Sequence, residues 1–102
     1  MKKFIIFITL TLFVCFNLNA QQWVHQASVN ANSMLGIDFI DDYHGVAVGT
    51  GGSIRQTTNG GNPWNLVNSP TTNSLYDVAF KDQYIGFAVG DGGTIIKTIN
   101  GG

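Results

Sequence analysis

The sequence predicts an all-β fold of repeated four-stranded units, on three observations. Past residue 20 the chain repeats itself with a period of 41 residues, its apolar positions fall in short alternating runs, and glycine pairs punctuate those runs. Alternation with period 2 marks a half-buried strand, and no helical period of 3.6 appears in the same region.

The repeat is read from its matching positions. Trp23 recurs as Trp64, and 18 of the 39 positions from 23 to 61 are identical to those from 64 to 102, without insertion or deletion. The matches include Phe39 with Phe80, Asp41 with Asp82, Tyr43 with Tyr84, Gly45 with Gly86, and the tripeptide AVG in both halves. A period of about 40 residues belongs either to propeller blades or to paired-helix repeats, so the local pattern decides.

That pattern is β throughout. LYDVAF (75–80) alternates, GFAVG (86–90) is a short buried run, and TIIKTI (94–99) is rich in β-branched residues, whose stiff side chains suit a pleated strand. In the first repeat the expected strands are 35–40, 45–49, 53–58 and 64–68; in the second they are 75–80, 85–90 and 94–99. A further strand is expected to start at Trp23, the counterpart of Trp64. The TGG and DGG segments between second and third strands supply the positive φ that two-residue hairpin turns demand. Four strands per 41 residues make a propeller blade. Propellers close with about 4 to 8 blades, so two blades, about 23–63 and 64–102, with the second short of its last strand, are expected to be a fragment of a larger ring. The missing ring is expected from the remaining blades of a longer chain or from self-association.

The first twenty residues have another composition. Lys2 and Lys3 precede an apolar run from Phe4 to Phe16, and Asn17–Ala20 lead into Gln21. This is the layout of a secretory signal peptide, with cleavage expected between Ala20 and Gln21. The apolar run is shorter than the roughly 20 residues of a membrane span, so no stable span is expected after cleavage. Cys15 falls inside the leader, which leaves 21–102 without cysteine and without disulfides or thiolate metal sites. The expected location is secreted, periplasmic or at the cell surface. A net charge of −1 offers no attraction to nucleic acid or to an anionic membrane.

TTNGGNPW (57–64) joins the third strand to the fourth, and TINGG (98–102) repeats its first half. The asparagine can hydrogen-bond backbone groups two residues on, glycines supply turn conformations, and the tryptophan can cover the turn and pack toward a neighbouring blade. The spacing of Thr57, Asn59, Gly61 and Trp64 resembles the Asp-box, or BNR repeat, of sialidase-like propellers, with Asn59 in place of the usual aspartate and Pro63 in place of the usual threonine. With the preceding GVAVGTGGSIRQT it is similar to the repeats of the photosystem II assembly and stability factor family, which also occur in secreted bacterial proteins. Thr57, Asn59, Gly61, Trp64, Thr98, Asn100 and Gly102 are accordingly the structural motif of the repeat, not catalytic residues.

Other motifs yield no chemistry. GTGG and GDGG do not open helices, as a phosphate-binding loop must. Asp38, Asp41 and Asp42 could gather round a calcium ion, but only Asp41 recurs, in a position suited to a strand-to-strand turn. His25 and His44 become Leu66 and Ile85 in the second repeat and read as surface or turn residues. Arg55 is the only arginine, too few for the arginine cluster of a sialidase. Catalytic residues, cofactors and metals are therefore expected to be absent. The resemblance implies a non-enzymatic binding or assembly scaffold that holds a protein or glycan through loops 28–34, 41–44 and 69–74. In the photosystem II-associated members it implies a role in photosynthesis. The alternative is the N-terminal part of a sialidase-like glycoside hydrolase with its catalytic residues elsewhere.

Overall fold

The computed structural model describes residues 23–26 and 32–102. The signal-peptide boundary at Ala20 and Gln21 and most of loop 28–34 lie outside them. Among the described residues seven strands form two antiparallel sheets: β1 (Met34–Phe39), β2 (Gly45–Gly49), β3 (Ile54–Thr57) and β4 (Asn65–Val67) in one, and β5 (Leu75–Phe80), β6 (Gly86–Gly90) and β7 (Ile95–Thr98) in the other. Each sheet is a meander in chain order. The two are successive propeller blades, as the 41-residue period predicts.

The registers repeat as the sequence does. Ile37 pairs Ala47 where Val78 pairs Ala88, and Phe39 pairs Gly45 where Phe80 pairs Gly86. Glycine at the last pair has a steric cause: a Cβ on Gly45 would lie 2.7 Å from the Phe39 ring, and one on Gly86 would lie 2.6 Å from the Phe80 ring. Each phenyl ring lies across the neighbouring strand, and only glycine leaves room for it.

Two details differ from the sequence expectation. The β2–β3 and β6–β7 connections are four-residue loops carrying short 3-10 turns at Thr50–Gly52 and Asp91–Gly93, not two-residue hairpins. The Gly49 amide bonds the Ser53 carbonyl and the Ser53 amide bonds Thr50, which closes the longer loop; both glycines still take positive φ. Residues 23–26 form no strand, and Trp23 is fully exposed. A strand exists only by pairing with an edge, and Trp23–Gln26 pairs with none among the described residues.

The core lies between the blades. Val46, Val48 and Ile54 from one face of the first sheet meet Leu75, Val78 and Ala88 of the second, flanked by Val67, Phe80 and Ile96. Polar bonds cross the same interface: Asp38 Oδ2 accepts the Phe80 amide at 2.8 Å, and Gln56 Nε2 donates to the Gly101 carbonyl at 3.1 Å. Leu75 and Val48 are the largest apolar side chains to be wholly buried. Two outer faces remain, one on each blade: Ile37, Ala47, Arg55 and Leu66 in the first, and Asp77, Ala79, Phe87, Val89, Ile95 and Lys97 in the second.

Candidate functional site

The TxNGG motif is built round one hydroxyl. Thr57 is fully buried, and its Oγ1 accepts the Gly61 amide at 2.9 Å and the Asn59 amide at 3.4 Å while donating to Asn59 Oδ1 at 3.3 Å. Asn59 Oδ1 in turn accepts the amide of Asn62, three residues on rather than two. The second copy repeats this: Thr98 Oγ1 accepts from Gly102 at 3.0 Å and donates to Asn100 at 2.8 Å. Gly60 and Gly101 then bond the carbonyls of Tyr43 and Tyr84, tying each motif to the β1–β2 or β5–β6 turn of its own blade. Trp64 packs edge-on against Phe39 at 5.8 Å, so its ring covers its own blade instead of reaching the second one. Thr57→Val keeps the shape but leaves the buried Gly61 amide unpaired, and it is expected to cost about 1–3 kcal/mol of unfolding free energy. Urea titration of both variants measures this, with the more exposed Thr98→Val losing less.

The β1–β2 and β5–β6 turns are organised by aspartates. Asp41 Oδ1 accepts the amides of Tyr43 (2.8 Å) and His44 (2.7 Å), and Asp82 Oδ1 accepts those of Tyr84 and Ile85, both at 2.8 Å. His44 Nδ1 also lies 2.9 Å from the Asp41 carboxylate. The Tyr43 amide, then the His44 side chain, holds the Asp41 carboxyl below its ordinary value of 3.8. The Ile85 amide, then the Tyr84 amide, does the same for Asp82. Because both folded-state values are lowered, these turns contribute stability above the ordinary carboxylate value and lose it as pH falls through the folded one. Carboxyl-carbon NMR titration is expected to give midpoints below 3.8 for both, and Asp82→Asn is expected to reduce the acid sensitivity of unfolding.

The loops expected to act together stand at opposite ends of the blades. Loop 69–74 precedes β5 and joins the 50–53 and 91–94 turns: Asn73 Nδ2 donates to Thr94 Oγ1 at 2.9 Å, and Ser74 Oγ accepts the Gly51 amide at 3.3 Å. Residues 32–33 lie at this end too, with the Ser33 carbonyl accepting the Thr50 amide. Turn 41–44 follows β1 and sits a strand length away, roughly 20 Å for six residues. The alternation of strands shows where loops fall in the chain, but loops before and after one strand must occupy its two ends. The end bearing 41–44 holds a cleft of about 520 Å³ between the aspartate turns, lined by Asp38, Ile40, Lys81, Gln83 and Tyr84 among others. Tyr43 and Tyr84 are exposed there.

Arg55 is the residue whose placement composition did not reveal. It is 2% exposed, on the outer face of the first blade, and its Nε and one terminal nitrogen have no hydrogen-bond partner among the described residues. It lines a largely apolar cleft of about 370 Å³ with Gln26, Met34, Gly36, Ile37 and Trp64. The signal was present in the repeat: Arg55 stands where the second blade has Ile96, a position facing the inter-blade core. Asp38 and Asp41 are engaged with backbone amides as described above. Among the described residues no group of three or more His, Cys, Asp or Glu is placed to hold a metal ion.

No family model matches the sequence, and no curated protein matches it. Solved structures do. One, described as YCF48 bound to D1 peptide, superposes with a TM-score of 0.65 at 27% identity, covering 70% of this chain and 24% of that one. Another, YCF48 from Cyanidioschyzon merolae, gives 0.59 at 30% identity, covering 66% of this chain and 21% of that one. The chain thus spans about a quarter or less of the length of the structures it matches. In fold and in blade sequence it is similar to part of the YCF48 β-propeller.

Proposed function

We propose that the chain is a non-enzymatic, protein-binding propeller module that works outside the cytoplasm. The observation that carries this reading is the likeness, at 27% identity over 70% of the chain, to a propeller captured with a peptide. The repeat motif fits it, since the Thr57 and Thr98 hydroxyls and the side-chain oxygens of Asn59 and Asn100 are engaged in closing turns. The resemblance to photosystem II assembly factors suggests assembly of a larger complex as the role. The cleft between the aspartate turns, lined by Tyr84 and with Tyr43 exposed at the same end of the blades, is the surface we assign to an extended peptide; aromatic rings with a polar tip suit such contacts.

Selection of a displayed peptide library on the immobilised protein tests this. A recurrent peptide whose binding falls by about tenfold or more in Tyr84→Ala is the expected result, as for a hot-spot aromatic. Enrichment that is unchanged by Tyr43→Ala and Tyr84→Ala would remove the assigned surface, and no enrichment at all would remove the binding function. Export rests on the leader at 1–20; mass spectrometry of the exported protein is expected to find a chain beginning at Gln21.

A further inference from the structure

Asparagine is followed by glycine at two places in the sequence, Asn59–Gly60 and Asn100–Gly101, and both lie in the motif that follows the third strand of a blade. An asparagine side chain can be attacked by the backbone nitrogen of the next residue, and glycine, with no Cβ, hinders that attack least. Asn59, Gly60 and Asn100 are all exposed to water.

The geometry points to Asn59 and Asn100 as latent sites of deamidation, each held off by a backbone hydrogen bond to the aspartate turn of its own blade. In the reaction the Gly60 nitrogen loses its proton to solvent and bonds to Asn59 Cγ, and the side-chain amide leaves as ammonia, so that a succinimide ring joins the two residues. Water then opens the ring. Cleavage between the nitrogen and Cγ leaves aspartate at 59. Cleavage between the nitrogen and the main-chain carbonyl carbon leaves isoaspartate, with the backbone running through Cγ. Water is consumed and ammonia released in equal amounts, and nothing is oxidised or reduced.

The atom that the fold controls is the nucleophile. The Gly60 amide donates to the Tyr43 carbonyl at 2.8 Å, and the Gly101 amide donates to the Tyr84 carbonyl at the same distance. To close the ring, Gly60 must shed the bonded proton and turn the face of its peptide plane toward Cγ. The plane is stiff and moves as a unit, so this breaks the bond to Tyr43. The Asn59 side chain gives no such protection. Its Oδ1 accepts the Thr57 hydroxyl at 3.3 Å and the Asn62 amide at 3.1 Å, and donors on a carbonyl oxygen favour attack at its carbon. The electrophile is primed and the nucleophile is withheld. Asp41 fixes the Tyr43 carbonyl in its turn, through the amides of Tyr43 and His44 that its Oδ1 accepts. Asp82 does the same for Tyr84 through the amides of Tyr84 and Ile85. Each asparagine thus owes its persistence to a carboxylate on another loop of its blade.

The two products meet the turn differently. Both bonds that Asn59 Oδ1 accepts are open to an aspartate oxygen at the same place, so aspartate recloses the motif. Isoaspartate adds a methylene to the main chain before Gly60, which displaces the Gly60 amide from Tyr43 and the Gly61 amide from Thr57.

The test ages the protein, expressed from its full coding sequence, at mildly alkaline pH and follows both Asn-Gly peptides by mass spectrometry. In guanidinium chloride each site is expected to deamidate at least about tenfold faster than in the folded protein, as for a reaction that proceeds from an opened state. Asp41→Ala is expected to speed Asn59 by about fivefold or more and Asn100 by less than about twofold, because the loss of charge-assisted bonds frees one turn only. Asp82→Ala is expected to do the reverse. Circular dichroism confirms that each variant keeps its sheets; if one does not, the other variant and the denaturant comparison decide. Asn59→Asp, the direct product, is expected to unfold at the same denaturant concentration as the parent. Equal rates in the folded and denatured protein overturn the inference. So does an aspartate variant that speeds both sites alike or neither, and an Asn59→Asp chain that unfolds earlier overturns the sorting of products.

Discussion

Leu75→Ala is expected to lower the unfolding free energy by about 2–5 kcal/mol, the range for emptying a buried leucine site. Leu75 is wholly buried at the start of β5, within the cluster that joins the blades. Neither sheet has another apolar layer among the described residues, so the loss falls on the one core the blades share. Total stability in small domains is only about 5–15 kcal/mol, so a large share of the folded population is at risk near physiological temperature. Urea unfolding followed by far-UV circular dichroism measures the effect. Val89→Ala is the comparison: Val89 stands on the outer face, 43% exposed, and its truncation is expected to cost about 1 kcal/mol or less. Equal losses in the two variants would show that the blades fold independently of their shared face.

Gly52→Ala is expected to be the most damaging change to a single turn, and Gly93→Ala supplies its control. The two glycines hold equivalent places in the repeat, with φ of +74° and +75°. The backbone penalty for a side chain is therefore common to both, about 1–2 kcal/mol. Their surroundings differ. A Cβ on Gly52 would lie 2.0 Å from the Thr71 carbonyl oxygen, whereas one on Gly93 meets nothing within 4 Å. Displacing the Thr71 backbone adds about 1–3 kcal/mol, the usual range for overpacking, so Gly52→Ala is expected to exceed Gly93→Ala by that margin. Thermal unfolding of the two variants side by side gives the difference directly. Equal destabilisation would mean that the 69–74 connection yields without cost.

The repeat and its strands were legible because they depend on local spacing: a period of 41, alternation of apolar residues, and glycines where φ turns positive. The partner of each face was not legible. Arg55 sits in a strand that reads correctly as β, yet only the packed structure shows that it is buried and lines one cleft with Trp64 and Gln26, because alternation names the two faces without saying what covers them. Trp23 illustrates the converse. Its match to Trp64 predicts a strand, but pairing belongs to the edge it would join, and a window of sequence does not contain that edge. The Asp41 and Asp82 turns stand between these cases: recurrence marks both as turn residues, while the hydrogen bonds that depress their titration exist only in the folded turn. The placement of loops 41–44 and 69–74 at opposite ends follows from strand direction, since one follows β1 and the other precedes β5.

The bond from the Phe80 amide to Asp38 has a consequence for how such a repeat can be recombined. The carboxylate comes from one 41-residue unit and the amide from the next, and the second unit has Ala79 at the place of Asp38. Duplicated units that begin as interchangeable thereby acquire an order. Exchanging the two would put the alanine at the junction and move the carboxylate to an outer face, so the tandem is no longer a string of equal modules but a phrase with a fixed reading direction.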